Sequence, residues 1–217
     1  MKNTINNNSQ QREFWAGEFG DSYIERNKSL NSNNQLYKEQ ISVEQIFTEF
    51  FDNIDKRNKI LELGCNIGLK LSLLHKMGFS NLYGVEINRK AFEIAQKNNP
   101  DITFYNSSIE DFDQNNETYD LVFTSGVLIH INPKILNSIV DKIINLTKKY
   151  IFGFEYYADK LEEVEYRGHS DILWKQNYPL LFTKRSASIK TVKSRKFFYK
   201  NSNLCDIAYL LNKFDRY

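Results

Sequence analysis

The 217-residue chain predicts an α/β domain built on an open, mainly parallel, Rossmann-like sheet with helices on both faces. Three observations carry this expectation. Lys59-Ile60-Leu61-Glu62-Leu63 is a short apolar run that meets glycine at Gly64 and Gly68 and continues into Leu69–His75, whose apolar residues recur at helical spacing. About twenty residues on, Asn81–Glu86 is a second apolar run that ends in a carboxylate. Beyond it, strand-like and helix-like segments alternate through Tyr157.

Residues 1–11 are rich in Asn, Gln and Ser and predict a disordered arm, because they bury too little apolar area to offset their ordering entropy. Residues 12–217 predict one domain: an N-terminal helical cap (12–58), a cofactor-binding core (59–157), and a lid with C-terminal strands (158–217). In the cap, Trp15, Phe19 and Tyr23 lie four apart, as on the core-facing stripe of one helix. Arg26 and Asn27 follow that stripe, where they either reach a ligand's polar edges or form a solvated helix end. Residues 39–54 predict a helix against the sheet, and 55–58 a polar connection.

In the core, the first glycine turn needs residues without a Cβ, both for backbone at positive φ and for close approach of a ligand. Asn66 stands where a dinucleotide fingerprint has its second glycine, the one that admits a pyrophosphate. Glu62, two residues before the turn, repels phosphate and attracts ammonium, which favours a ligand with a positive aminoacyl group. Glu86 stands where a carboxylate grips ribose hydroxyls. Gly78 stops the helix after the turn, residues 88–97 predict the next helix, and Ile102–Tyr105 the third strand. Its following loop, with Ser107 and Ser108, lies where open α/β sheets bind ligands. Asp120–Ser125 predicts a buried fourth strand delivering Gly126–Ile131, residues 132–148 a helix with Pro133 in its first turn, and 150–157 the fifth strand.

The run Glu62-Leu63-Gly64-Cys65-Asn66-Ile67-Gly68 followed by Glu86 resembles the class I S-adenosylmethionine (SAM)-dependent methyltransferases. The resemblance implies that Glu62, Gly64, Asn66 and Gly68 meet the methionine part and Glu86, with Ile87, the ribose. It further implies that Ser108 and Ile109 border adenine and that Ser125, Gly126 and Val127 lie under the cofactor, with His130 facing the sulfonium. Tyr23, Arg26 and Asn27 join the cofactor side. A His that caps the helix starting at Asn132-Pro133 is the alternative for His130. Phe19–Asn27, the glycine turn, Gly126–Pro133 and Tyr166–Lys175 together are similar to methylases associated with pseudaminic acid biosynthesis, which implies a sugar or sugar-nucleotide acceptor.

The stretch from Glu155 to Lys175 mixes aromatics, acids, Arg167 and His169, a composition suited to a hydroxylated acceptor, and Tyr157, Tyr166, Arg167 and Trp174 are its candidate contacts. A surface insertion anchored by its aromatics is the alternative. Methyl transfer to a hydroxyl needs a base, and His130 and His169 are the candidate catalytic imidazoles.

Composition bounds the rest. A net charge of +2 gives no field for nucleic acid, and the Asn-Pro-Pro-Tyr-type motif of base or protein methylation is replaced by Thr124-Ser125-Gly126-Val127. Two cysteines give neither a disulfide framework nor metal-ligand spacing, so the expectation is a reduced, cytoplasmic, metal-free protein with a small-molecule acceptor and no membrane partner. Oligomeric state leaves no mark on composition. A binding module without catalysis is the competing class.

Overall fold

The computed structural model describes residues 8–27, 36–113 and 117–214. Seven strands form one sheet in the order β3-β2-β1-β4-β5-β9-β8. The parallel part comprises β1 (Ile60–Leu63), β2 (Leu82–Glu86), β3 (Thr103–Asn106), β4 (Tyr119–Ser125) and β5 (Thr147–Tyr157). The order reverses between β1 and β4, the place where open sheets open a crevice at their carboxyl ends. The last two strands, β8 (Ile189–Phe198) and β9 (Cys205–Lys213), run antiparallel, and β9 lies between β5 and β8.

Alternation along the strands divides the core into two layers. Phe123, Phe152 and Ala208 face the layer holding Phe47 and Phe51 of α3 (Val43–Phe51), with α4 (Leu69–Lys76) and α5 (Arg89–Asn98). Leu61, Val122, Ile151 and Ile207 face the other, with Ile139, Val140 and Ile143 of α6 (Pro133–Leu146) and Tyr178 and Phe182 of α7 (Tyr178–Arg185). The helix starts are capped by side chains: Ser42 and Gln45 form a reciprocal box at α3, and Asn88, Asn132 and Asn177 each accept a backbone N–H at α5, α6 and α7.

The N-terminus differs from the expected arm and single helix. Residues 8–11 belong to helix α1 (Asn8–Ala16), because Gln11 is buried against the sheet's loops and supplies the fixed contacts that polar composition alone does not reveal; residues 1–7 lie outside the described residues. The aromatic stripe is split at Gly17, and α2 (Glu18–Arg26) folds back on α1. The turn is tight: a Cβ on Gly20 would sit 1.9 Å from the Trp15 carbonyl oxygen. Trp15 then meets Phe19 and Tyr23 edge-on, with ring centroids 5.3 and 5.6 Å away.

The segment expected as a lid forms a small ribbon, β6 (Glu162–Glu163) with β7 (Trp174–Lys175). Within it, Tyr166 and His169 close a two-residue turn through paired backbone bonds of 2.9 and 3.0 Å, with Arg167 and Gly168 both at positive φ, 53° and 80°. No described helix is long and apolar enough to cross a membrane.

Candidate functional site

A cleft of about 310 Å³ runs along the carboxyl edge of the sheet, from the loop after β3 to the start of β9. At its centre the turn after β1 holds three residues in left-handed backbone: Gly64 (φ 73°), Asn66 (φ 49°) and Gly68 (φ 77°). A Cβ on Gly64 would stand 2.7 Å from Val127 Cγ2, so β1 and the loop after β4 approach each other only because that carbon is missing. Asn66 donates its backbone N–H to Glu86 Oε2 at 2.7 Å, and Asn88 N–H donates to Glu86 Oε1 at 2.8 Å. Glu86 thus ties the glycine turn to the end of β2, and each carboxylate oxygen keeps a lone pair for a ligand.

Glu62 is fully buried, and neither of its oxygens has a hydrogen-bond partner among the described residues. Lys70 Nζ stands 3.6 Å from Oε1, an ion-pair separation rather than a hydrogen bond. Burial raises the Glu62 carboxyl to about 8 against the opposing pull of Lys70. Beneath the glycine turn Glu62 thus holds unused acceptor positions, shared only with the Lys70 ion pair, that suit a hydrogen-bond donor.

The loop after β3 contributes Ser107, Ser108 and Ile109 to the lining, and Ser108 Oγ accepts the Asp111 N–H at 3.0 Å. The loop after β4 contributes Ser125, Gly126, Val127 and His130. His130 Nδ1 lies 2.7 Å from the Ile172 carbonyl oxygen, which can only accept, so Nδ1 carries the proton and Nε2 keeps its lone pair. Burial lowers His130 to about 4, and the ring is neutral near pH 7.

Tyr23, Asn27, Glu86 and Ile87, also expected on the cofactor side, line the cleft together with Gly64 and Asn66. Glu62, Gly68 and Arg26 do not. Glu62 lies beneath the turn, Gly68 opens α4, and Arg26 is exposed with its guanidinium 5.1 Å from the Phe19 ring centroid.

The residues expected to meet the acceptor stand outside the lining. His169 packs its ring 5.0 Å from Phe14 and 5.6 Å from Phe19. Trp174 is buried in β7. Tyr157 contacts Asp159, through its hydroxyl at 2.5 Å, and Lys196 at the surface. Tyr166 stacks near His130 and Phe19 behind the lining, and Arg167 is exposed above Tyr166. Tyr166 and His169 pack instead on Phe14 of α1, Phe19 of α2 and, for Tyr166, the lining residue His130. Those two helices are the cover: Gln11 donates to the His130 carbonyl oxygen at 2.5 Å and accepts from Asn132 N–H at 3.1 Å. Arg12 pairs with Asp111, and Asn88 Nδ2 donates to Asp21 Oδ1 at 2.9 Å.

Two lining carboxylates were not anticipated. Glu155, buried at the end of β5, accepts the Val127 N–H at 3.0 Å and so pins the loop under the cleft; burial raises it to about 7. Asp206, buried in β9, accepts hydrogen bonds from the hydroxyls of Tyr37 and Tyr199, the latter at 2.9 Å, and burial raises it to about 6. The signal for both is an acid inside an apolar strand, Phe-Glu-Tyr and Cys-Asp-Ile.

Residues 60–150 match the family model described as a methyltransferase domain. The fold is similar to that of Burkholderia thailandensis 1,6-didemethyltoxoflavin-N1-methyltransferase, solved with 1,6-didemethyltoxoflavin and S-adenosylhomocysteine bound (TM-score 0.72, 13% identity, 99% of this chain and 94% of that one). It is also similar to magnesium protoporphyrin IX methyltransferase (ChlM) from Synechocystis PCC 6803 with bound SAM (TM-score 0.64, 13% identity, 99% and 100%). A third likeness is to the [4+2]-cyclase SpnF (TM-score 0.73, 9% identity, 98% and 99%). No curated protein matches the sequence. Strand order and the solved structures agree on a Rossmann-like fold shared with those two methyltransferases.

Proposed function

We propose that this protein is a SAM-dependent methyltransferase acting on a small polar acceptor of the sugar or sugar-nucleotide type. The observation that carries the reading is the site's chemistry: a left-handed glycine turn tied to Glu86 by a backbone hydrogen bond, above the buried Glu62 carboxyl, whose oxygens make no hydrogen bond among the described residues. Gly64 and Asn66 would lie against the methionine part, Glu62 would complement its ammonium, Glu86 would accept from the ribose hydroxyls, and Ser108 and Ile109 would border the base. When bound, the cofactor supplies an electrophilic methyl group. The chain's own part is to hold both reactants in line and exclude water beneath α1 and α2.

The fold by itself does not fix the reaction, as the [4+2]-cyclase of the same architecture illustrates. The sugar-type acceptor is supported by the sequence resemblance and by the aromatic and hydrogen-bonding lining of Trp15, Tyr23, Tyr156 and Asp206.

Calorimetry with SAM and with S-adenosylhomocysteine tests the cofactor reading. The wild type is expected to bind both, and Glu86→Ala to weaken binding by about 1–3 kcal/mol, because buried acceptors for two ligand hydroxyls are removed. A folded wild type with no affinity for either would sink it. Labelled-methyl transfer to sugars and sugar nucleotides separates an enzyme from a binding module.

A further inference from the structure

The cations of the cleft lining, Arg12 and Lys70, lie toward the β1–β3 end beside the Glu86 and Glu110 carboxylates, and each is engaged by an acid, Asp111 and Glu62. At the β5–β9 end the lining holds two buried carboxylates, Glu155 and Asp206, and among the described residues neither forms an ion pair. Tyr156 is the direct cross-strand partner of Asp206, so Glu155, one residue earlier, leaves β5 on the opposite face. The two acids therefore reach the cleft from either side of the sheet, while Trp15 and Tyr23 cover it from above. Aromatic rings over buried carboxylates that hold hydrogen bonds but no counter-cation among the described residues favour a cationic ligand.

The imidazole at this end is a weak base for an alcohol acceptor. A hydroxyl must lose its proton as it is methylated, and the imidazole on the lining, His130, is pinned by Ile172 and held far below ordinary histidine basicity. An amine brings its own lone pair.

Resting on the methyltransferase reading above, we infer that the acceptor is an amine, whose ammonium is taken up at the Glu155–Asp206 end of the cleft and whose nitrogen receives the methyl group. The ammonium gives one proton to water. The freed lone pair forms the N–C bond while the C–S bond breaks, its electron pair remaining on sulfur, so the sulfonium becomes a neutral thioether and the product is an N-methylammonium. Arg26 and Arg167, exposed on Phe19 and Tyr166 outside the lining, leave room for an anionic tail at the rim, such as the phosphates of a sugar nucleotide.

The test uses the full chain loaded with S-adenosylhomocysteine and three probes of one shape: cyclohexylamine, cyclohexanol and cyclohexanecarboxylate. In NMR shift titrations at neutral pH the amine is expected to bind at least tenfold more tightly than the alcohol, with the carboxylate weakest. Asp206→Asn, which keeps acceptors for Tyr37 and Tyr199, is expected to bring amine and alcohol to within threefold. Glu155→Gln, which keeps an oxygen toward Val127, is the second variant, and an unchanged far-UV spectrum and thermal midpoint are the folding control for each. Equal binding of amine and alcohol, preference for the carboxylate, or a preference untouched in both variants would overturn the inference. So would labelled methyl recovered on oxygen when paired amino and hydroxy sugars are assayed, an outcome that leaves the methyltransferase reading standing. Absent affinity for S-adenosylhomocysteine removes that reading instead.

Discussion

The two ends of the cleft are built by different means. The β1–β3 end is made of backbone: positive φ at Gly64, Asn66 and Gly68, and the Asn66 N–H fixed on Glu86, all within 25 consecutive residues from Glu62 to Glu86. The β5–β9 end is made of side chains from far apart in the chain: Trp15 and Tyr23, His130, Glu155 and Tyr156, and Asp206. A site of the first kind tolerates little change at a few positions. One of the second kind can be re-aimed by substitution without rebuilding the fold, which is how one architecture serves unrelated acceptors.

The sharpest way to break this contrast is Gly64→Val. Valine is strained at φ 73° and its Cβ would press on Val127, so cofactor affinity should fall more than a hundredfold, measured by calorimetry on protein whose far-UV spectrum is unchanged. Retained affinity would mean that the turn does not form the cofactor seat.

His130→Gln sharpens the other side. The folded His130 value, about 4, lies below the ordinary 6.5, so its contribution to stability is full above 6.5 and is lost as pH falls toward 4, by up to about 3 kcal/mol. Glu62, Glu155 and Asp206 are shifted upward and act with the opposite sign, favouring the fold as pH falls. In denaturant titrations the wild type should therefore lose stability relative to His130→Gln between pH 6.5 and 4. Parallel curves would place the imidazole in water.

Asn88→Ala acts where the halves join, since Asn88 caps α5 and holds the α1–α2 elbow. It should cost about 1 kcal/mol in stability and raise hydrogen exchange in residues 8–27. The smallest expected effect is that of Arg167→Ala: exposed and outside the lining, it should change cofactor affinity by less than about twofold, within the range of surface substitutions.

The same contrast explains what the sequence disclosed. Strand periodicity, two glycines and a carboxylate at strand's end are local signals, and the parallel sheet, the turn and Glu86 were legible from them. Gln11 sits in a polar run whose composition suggests disorder, yet three-dimensional partners at His130 and Asn132 bury it. The Tyr166–His169 segment has the composition of a recognition motif because charge and aromatics coincide there, but Tyr166 and His169 pack on Phe14, Phe19 and His130 instead of lining the cleft. Glu155 and Asp206 read as interruptions of apolar strands, and only strand order brings both to the same edge.

The position of β9 has a consequence for how the chain reaches this state. A nascent chain presents β8 before β9, although β9 is the strand that must pair with β5. Until residues 205–213 leave the ribosome, the edge of β5 is open, and the earlier strand is free to pair there in the wrong place. Two features oppose that error. The sequence Lys-Ser-Arg-Lys in β8 puts charge where β9 has Ala-Tyr-Leu-Leu, and Gly153 of β5 is shaped for one partner, since a Cβ there would lie 2.0 Å from the Tyr209 ring. The glycine acts as a keyhole that admits the last strand by its tyrosine, and Asp206, three residues ahead of that tyrosine, is carried into the cleft by the same docking event.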